Sequence, residues 1–457
     1  MSTRLDADAG HTSEALGESP DGTSNSGGRS GASVIPAAVA GRTHRLVRMS
    51  GRNTREAHRS VTPLELLFDL TFVVSFGMAG DQFAHSIAEN HWGSGLLAMA
   101  FAIASITWAW MNFSWFASAY DTDDWVYRLT TMVQMVGVVV LALGLPAWFS
   151  SFESGDTTSN SVSLTGYVIM RVAMIGQWIR VALQDPERRR TALTYVLFVG
   201  AAQVGWVVLT LTSQSSTQFV LFAVGLFLVE MVGPVLAERK TDGTPWHARH
   251  IAERHGLLAI IALGEVIFGT VAAVSVLIER HGLTVDAILV VVAGVGLAFG
   301  LWWIYFLMPF GEVLERHRDQ LRPWGYLHFL VYGSITSTGA GLHVAAYVIE
   351  GDSAIGVLGA VVSVVIPVLI FAIVVYGLYA GMLRTIEPMH LWLLSGSIAL
   401  LVLAVVLAAS GAPLGLSLLV VTAAPTVSII GFETIGHRHH ERVLARVLDE
   451  EITDHSS

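Results

Sequence analysis

Glu65-Leu66-Leu67-Phe68-Asp69-Leu70-Thr71-Phe72 places two carboxylates near the start of a segment otherwise fit for lipid. An unpaired charge in hydrocarbon costs several kcal/mol, so acids in a membrane span face a helix interface or a water-filled path. A further acid, Glu265, lies deep in the apolar run that opens the second half of the chain.

The octapeptide opens the first of about twelve apolar runs. They cover roughly 64–84, 96–118, 127–149, 162–183, 191–212, 217–237, 251–278, 286–309, 323–349, 354–383, 391–410 and 412–433. Each is long enough to cross about 30 Å of hydrocarbon as a helix. With 53% apolar and 14% charged residues over 457 positions, the composition excludes an ordinary soluble domain. The runs are too long and continuous for barrel strands. The fold class read from this pattern is an all-α polytopic membrane protein, with the lipid bilayer as its first partner.

Basic residues set the orientation. Arg42, Arg45, Arg48, Arg52, Arg55 and Arg59 precede the first run. Arg188, Arg189, Arg190, Arg239, Lys240, Arg249, Arg316, Arg318, Arg322, Arg438 and Arg442 fall in loops or tails on the same side, and Arg280 falls opposite. Both termini are therefore expected in the cytoplasm. The net charge of −10 is spread over tails and loops and points to no partner. Residues 1–60 read as a disordered and then basic tail without the apolar region of a signal peptide. Residues 61–240 and 241–435 read as two six-helix halves, and 436–457 as a C-terminal tail. The halves share features of parallel repeats. Thr62-Pro63 and Thr244-Pro245 each suit an N-cap followed by proline at the first helical position. Trp108, Trp110 and Trp115 are echoed by Trp302, Trp303, Tyr305 and Phe306. Small residues four apart, Gly296 and Gly300, then Gly333, Ser337 and Gly341, allow close helix approach.

Thr62-Pro63-Leu64-Glu65-Leu66-Leu67-Phe68-Asp69-Leu70-Thr71-Phe72-Val73 resembles the opening signature of the bacterial low temperature requirement A (LtrA) family. Three further pieces follow in order: Asp121-Thr122-Asp123-Asp124 with Arg128, Met170-Arg171-Val172, and Glu253-Arg254-His255-Gly256-Leu257 running to Leu263-Gly264-Glu265. The resemblance spans about 58–435. It implies a polytopic membrane protein associated with growth in the cold. His255 departs from the family's aromatic at that position.

Candidate functional residues are the ionisable groups inside or beside the runs. Thr62, Pro63 and Glu65 spell a capping box. Asp69, one turn deeper on the same face, is too deep to cap and needs a partner, a water or a proton. Arg254 precedes Glu265 by eleven residues and so shares its helix face, about 16 Å away, with His247 extending that face and Glu253 beside it. A row of His, Arg and Glu suits a proton or cation route. Arg171, central in the fourth run, is expected to pair with Asp69, Glu65 or Glu265, while Arg180 snorkels. Glu230 is a half-buried acid that either pairs or reaches solvent. His328 and His343 serve as relays or as interhelical hydrogen bonders. Asp121, Asp123 and Asp124 either cap the third helix, with Asp124 pairing Arg128, or collect cations. His437, His439 and His440 read as a solvated tail.

No Walker loop, zinc helix or nucleotide fingerprint is present, and the absence of cysteine excludes disulfides and thiolate sites. No catalytic role, cofactor, resident metal or nucleic acid is expected. The sequence favours a secondary transporter or proton/cation pathway for a small ion or solute in the bacterial inner membrane, with homo-oligomers open. The alternatives are a non-transporting membrane scaffold or cold- and envelope-stress protein, and an intramembrane enzyme acting on lipids.

Overall fold

The computed structural model describes residues 46–53, 59–155, 160–212, 215–239, 243–385 and 388–436. The readings made for the first 45 residues, for Arg55 and Lys240, and for the tail with His437, His439, His440, Arg438 and Arg442 lie outside the described residues.

Continuous apolar runs fold here as helices because only helices satisfy every backbone group within one segment in lipid. The chain order is α1 (Pro63–Ala88), α2 (Trp92–Tyr120), α3 (Trp125–Ser154), α4 (Ser161–Gln184), α5 (Arg189–Leu211) and α6 (Ser216–Arg239). There follow α7 (Ala248–His281), α8 (Val285–Phe306), the short α9 (Phe310–Arg316), α10 (Leu321–Glu350), α11 (Val357–Met382), α12 (Pro388–Ala409) and α13 (Leu414–Gly431). Among the described residues, eleven stretches of helix are long and apolar enough to span a membrane. The expected twelfth span, α10, has the length but a more polar sequence. It packs against α1, α2, α7 and α11. Surrounded by protein, it tolerates His328, Ser334, Thr336 and Thr338, all buried, which a lipid-facing helix would not.

The start of α1 is the expected capping box. Thr62 N–H donates to Glu65 Oε2 at 2.8 Å, and Glu65 N–H donates to Thr62 Oγ1 at 3.3 Å. The start of α7 corrects the parallel reading. His247, not Thr244, is the N-cap, and the helix begins at Ala248 rather than at Pro245. Thr244 is taken by Glu238, to which its N–H and hydroxyl donate at 2.9 and 3.0 Å. The aromatic echo also separates by role. Trp108 and Trp110 donate to buried carboxylates, whereas Trp303 donates to exposed Glu433 and Tyr305 bonds His328.

The two halves share part of their neighbour order, but the close α8–α13 packing of the second has no counterpart between α2 and α6 in the first. In the first, α1 packs on α3, α3 on α4, α4 on α5 and α5 on α6; in the second, α7 packs on α10, α10 on α11, α11 on α12 and α12 on α13. Small residues make the closest crossings, as expected where no hydrophobic force draws helices together in lipid. Gly296 and Gly300 of α8 face Thr422 and Pro425 of α13, Gly341 faces the Ser363 carbonyl of α11, and Gly333 faces Ile103 of α2. The α3–α4 crossing is tighter still, since a β-carbon at Gly166 would collide with the Leu141 backbone. Gly166→Ala is expected to cost about 1–3 kcal/mol through overpacking. Gly225→Ala, with nothing within 4 Å, should be neutral. Thermal unfolding in detergent distinguishes the two.

Candidate functional site

The deepest charges gather where α1, α2 and α7 meet. Helical spacing puts Glu65 and Asp69 on one face of α1, and His250 and Arg254 one turn apart on the facing side of α7. Arg254 Nε donates to Asp69 Oδ2 at 3.1 Å, and Nη2 donates to Asp69 Oδ1. Arg254 Nη1 lies 3.2 Å from Glu65 Oε1, and His250 Nε2 lies 3.1 Å from the same oxygen. Trp110 Nε1 of α2 donates to Asp69 Oδ1 at 2.7 Å. The guanidinium lies over the rings of Trp110 and Phe113, 5.6 and 5.5 Å from their centroids, which adds cation–π attraction. From the segment before α1, Arg59 donates to the Ser118 and Ala117 carbonyls and lies 3.4 Å from Glu65 Oε1. Glu65, Asp69, Arg59, His250 and Arg254 are all buried.

Arg171 does not join them. Its Nη2 donates at 2.7 Å to Glu230 of α6, correcting the expectation that it pairs with Asp69, Glu65 or Glu265. Helix rotation turns it toward α6, away from α1 and α7. Glu230 Oε2 also accepts from Trp108 Nε1 and Tyr167 OH, each at 2.8 Å. Its Oε1 accepts from Gln203 Nε2 at 2.8 Å and Trp206 Nε1 at 3.1 Å. Five donors from α2, α4 and α5 saturate one carboxylate, so Glu230 is a paired structural hub.

Glu265 is the contrast. It is 7% exposed and makes no hydrogen bond or ion pair among the described residues. Its carboxylate lies across the side-chain-free surface of α1, where a β-carbon at Gly77 or Gly80 would come 3.2 Å from an oxygen. Its backbone packs more closely still on Gly339 of α10, where a β-carbon would come 2.4 Å from the Glu265 carbonyl. A groove of about 510 Å³ runs over Glu265, walled by α1 and α7 and floored by α10. Asp81 and His343 line it too, with Oδ1 and Nδ1 3.4 Å apart.

The remaining candidates are peripheral. Glu253 is exposed, while His247 caps α7 and donates its backbone N–H to Ser118 Oγ at 3.0 Å. Asp124 caps α3 and receives both Arg180 Nη atoms. Arg180 is therefore paired, not snorkelling, and Arg128 pairs with Asp123 at 2.8 Å, not with Asp124. The Asp123 side chain is turned outward, φ 48° placing that residue in the left-handed region. His328 bonds the Trp324 carbonyl and Tyr305 OH, an interhelical role. His255 behaves as the aromatic expected there, packing edge-on against Trp110 at 4.9 Å.

Asp81 and His250 escape the sequence reading, which names Arg59 only as a topology signal and Trp110 only in the aromatic echo. Asp81 carries a visible signal as an acid inside the first run. Arg59 hides among tail arginines, and His250 lies at a helix end where solvation is the ordinary expectation. Among the described residues, Glu89, His91 and Glu153 could converge on a cation. All three are exposed, and Glu89 and Glu153 already engage His85, His91 and Ser86.

A bundle of lipid-length helices whose α1 and α7 are locked by buried ion pairs defines a polytopic membrane protein with an intramembrane polar site. The chain belongs to the bacterial low temperature requirement A (LtrA) family, whose sequence model matches residues 60–425. An uncharacterized protein of Rhizobium meliloti (strain 1021) is 25% identical over 295 residues, covering 61% of this chain and 67% of that protein. No solved structure matches.

Two predictions follow from the charged groups. Glu230→Gln and Arg171→Met each leave one buried group uncompensated and should cost about 3–5 kcal/mol. The double variant should lose less than the sum of the two, as read by thermal unfolding in detergent. Asp121 lies in the turn between α2 and α3, its side chain 2% exposed. Burial, then the Glu65 charge, push its carboxyl up to about 6, with Arg59 pulling the other way. An unfolded Asp titrates near about 3.9. The folded protein therefore holds this proton more tightly, and Asp121 makes stability fall as pH rises from about 4 to about 6, by up to about 3 kcal/mol. Asp121→Asn should remove that fall, so that its melting temperature gains on the wild type across the interval.

Proposed function

We propose that this protein is a transporter or proton/cation pathway of the bacterial inner membrane, with Glu265 as its exchanging carboxylate. The observation that carries the reading is that Glu265, at mid-span, has no partner among the described residues and faces a groove, while Glu65, Asp69 and Glu230 are fully engaged. Only a carboxylate with free lone pairs can take up a proton or cation without first breaking hydrogen bonds. Asp81 and His343 stand along the groove, where they can pass charge toward Glu265. The network of Glu65, Asp69, His250 and Arg254 closes the other side of the α1–α7 interface. The part of the neighbour order that the halves share supports two repeats that rock against one another at this interface, with both termini cytoplasmic. Association with growth in the cold then reflects transport, not a catalytic step.

Flux in proteoliposomes tests this. Under an imposed proton or cation gradient, wild type should conduct and Glu265→Gln should lose at least nine-tenths of the flux while staying monodisperse. Equal flux in the two proteins removes Glu265 from the pathway. No flux from wild type under any imposed gradient excludes a channel or leak and favours a scaffold.

A further inference from the structure

The groove over Glu265 opens sideways, through the face the bundle turns to lipid. Its rim carries Val74 on α1 and Phe268 and Val271 on α7, which are 51%, 63% and 56% exposed. Leu66, Leu67 and Leu70 continue this apolar face along α1, and Ile260 and Ile267 continue it along α7. A site reached this way takes its occupant from the bilayer, so the occupant must itself be apolar over most of its surface.

The walls set the charge. Glu265 and Asp81 are both acidic, and among the described residues His343 is the only basic group lining the groove, with neither Arg nor Lys there. With both carboxylates ionised, the groove is net negative whether His343 is neutral or protonated. The charge-bearing end of the occupant should therefore be cationic, approaching the Glu265 carboxylate from the groove while Gly77 and Gly80 of α1 back its two oxygens. Tyr347, stacked on His343 with centroids 5.2 Å apart, adds an aromatic surface beside the groove's polar end.

We propose that this groove is a lateral-entry site for amphipathic cations, in which a bulky apolar body lies between Val74 and Phe268 and the positive centre meets Glu265. This names a substrate class for the pathway above and rests on that reading for transport, but not for binding.

Tetraphenylphosphonium binding to the full-length protein in detergent tests it, with tetraphenylborate as a probe of similar shape and opposite charge. Wild type should bind the cation saturably and the anion at least tenfold more weakly. Glu265→Gln should weaken the cation at least tenfold, and Phe268→Ala, on the exposed rim where folding is not at stake, by a few fold. Equal binding of both ions, or cation binding untouched by Glu265→Gln, overturns the proposal. So does a dimer in which Phe268→Cys crosslinks to its copy and the cation does not bind, because the groove is then covered by a second chain. Cation binding through Glu265 without flux leaves this site standing and removes the pathway. Glu265-dependent proton flux without cation binding does the reverse.

Discussion

Arg254 is the residue on which the arrangement of the first and seventh long helices depends. Its guanidinium reaches two carboxylates of α1, one turn apart, from a position fully enclosed by protein. A planar fork with five donors suits such a task, and a lysine could not engage both acids with the same geometry. With Arg59 on the other side of Glu65, two cations face the two anions of α1, and Arg59 also lies 4.0 Å from Asp121. Removing Arg254 would leave Glu65 with Arg59 and His250 but strand Asp69 in a low-dielectric interface, where an uncompensated charge costs more than the intact pair contributes.

Carboxylates inside this protein occur at three levels of satisfaction, and their roles follow from the level. Glu65 and Asp69 are ion-paired and join α1 to α7. Glu230 accepts five hydrogen bonds and joins α2, α4, α5 and α6. Glu265 accepts none among the described residues and sits where glycine replaces side chains on both neighbouring helices. A saturated carboxylate holds helices in register because every competing arrangement loses hydrogen bonds. A bare one contributes nothing to that register, and burying it carries a cost that packing elsewhere must offset.

The helices were legible in sequence because lipid imposes a length and an apolar composition on each. The ends of the long helices fall within a few residues of the apolar runs. Which acid meets which base was not legible. Pairing depends on helix rotation and neighbour order, and neither leaves a local trace. Arg171 and Glu230 are 59 residues apart and meet only because α4 and α6 both flank α5. Helical spacing did place Arg254 and Glu265 on one face of α7, and both turn toward α1. That spacing could not show that Arg254 finds two acids while Glu265 finds glycines. The cap at Thr244 failed for a related reason, since a nearby glutamate claimed the hydroxyl.

Apolar helices in lipid lack the force that drives soluble cores together, because tails solvate leucine as well as leucine does. Close glycine crossings supply dispersion contacts, yet they leave sliding along the helix axis weakly opposed. A hydrogen-bonded ion pair opposes it strongly, since a shift of one turn at α1–α7 would pull Arg254 from Asp69 and carry Glu65 away from His250. The same shift would leave Glu265 over at most one of Gly77 and Gly80, with another residue of α1 such as Val74 or Phe83 in place of the other. The paired charges at one level thus hold the unpaired one at another in the single register where its carboxylate has room.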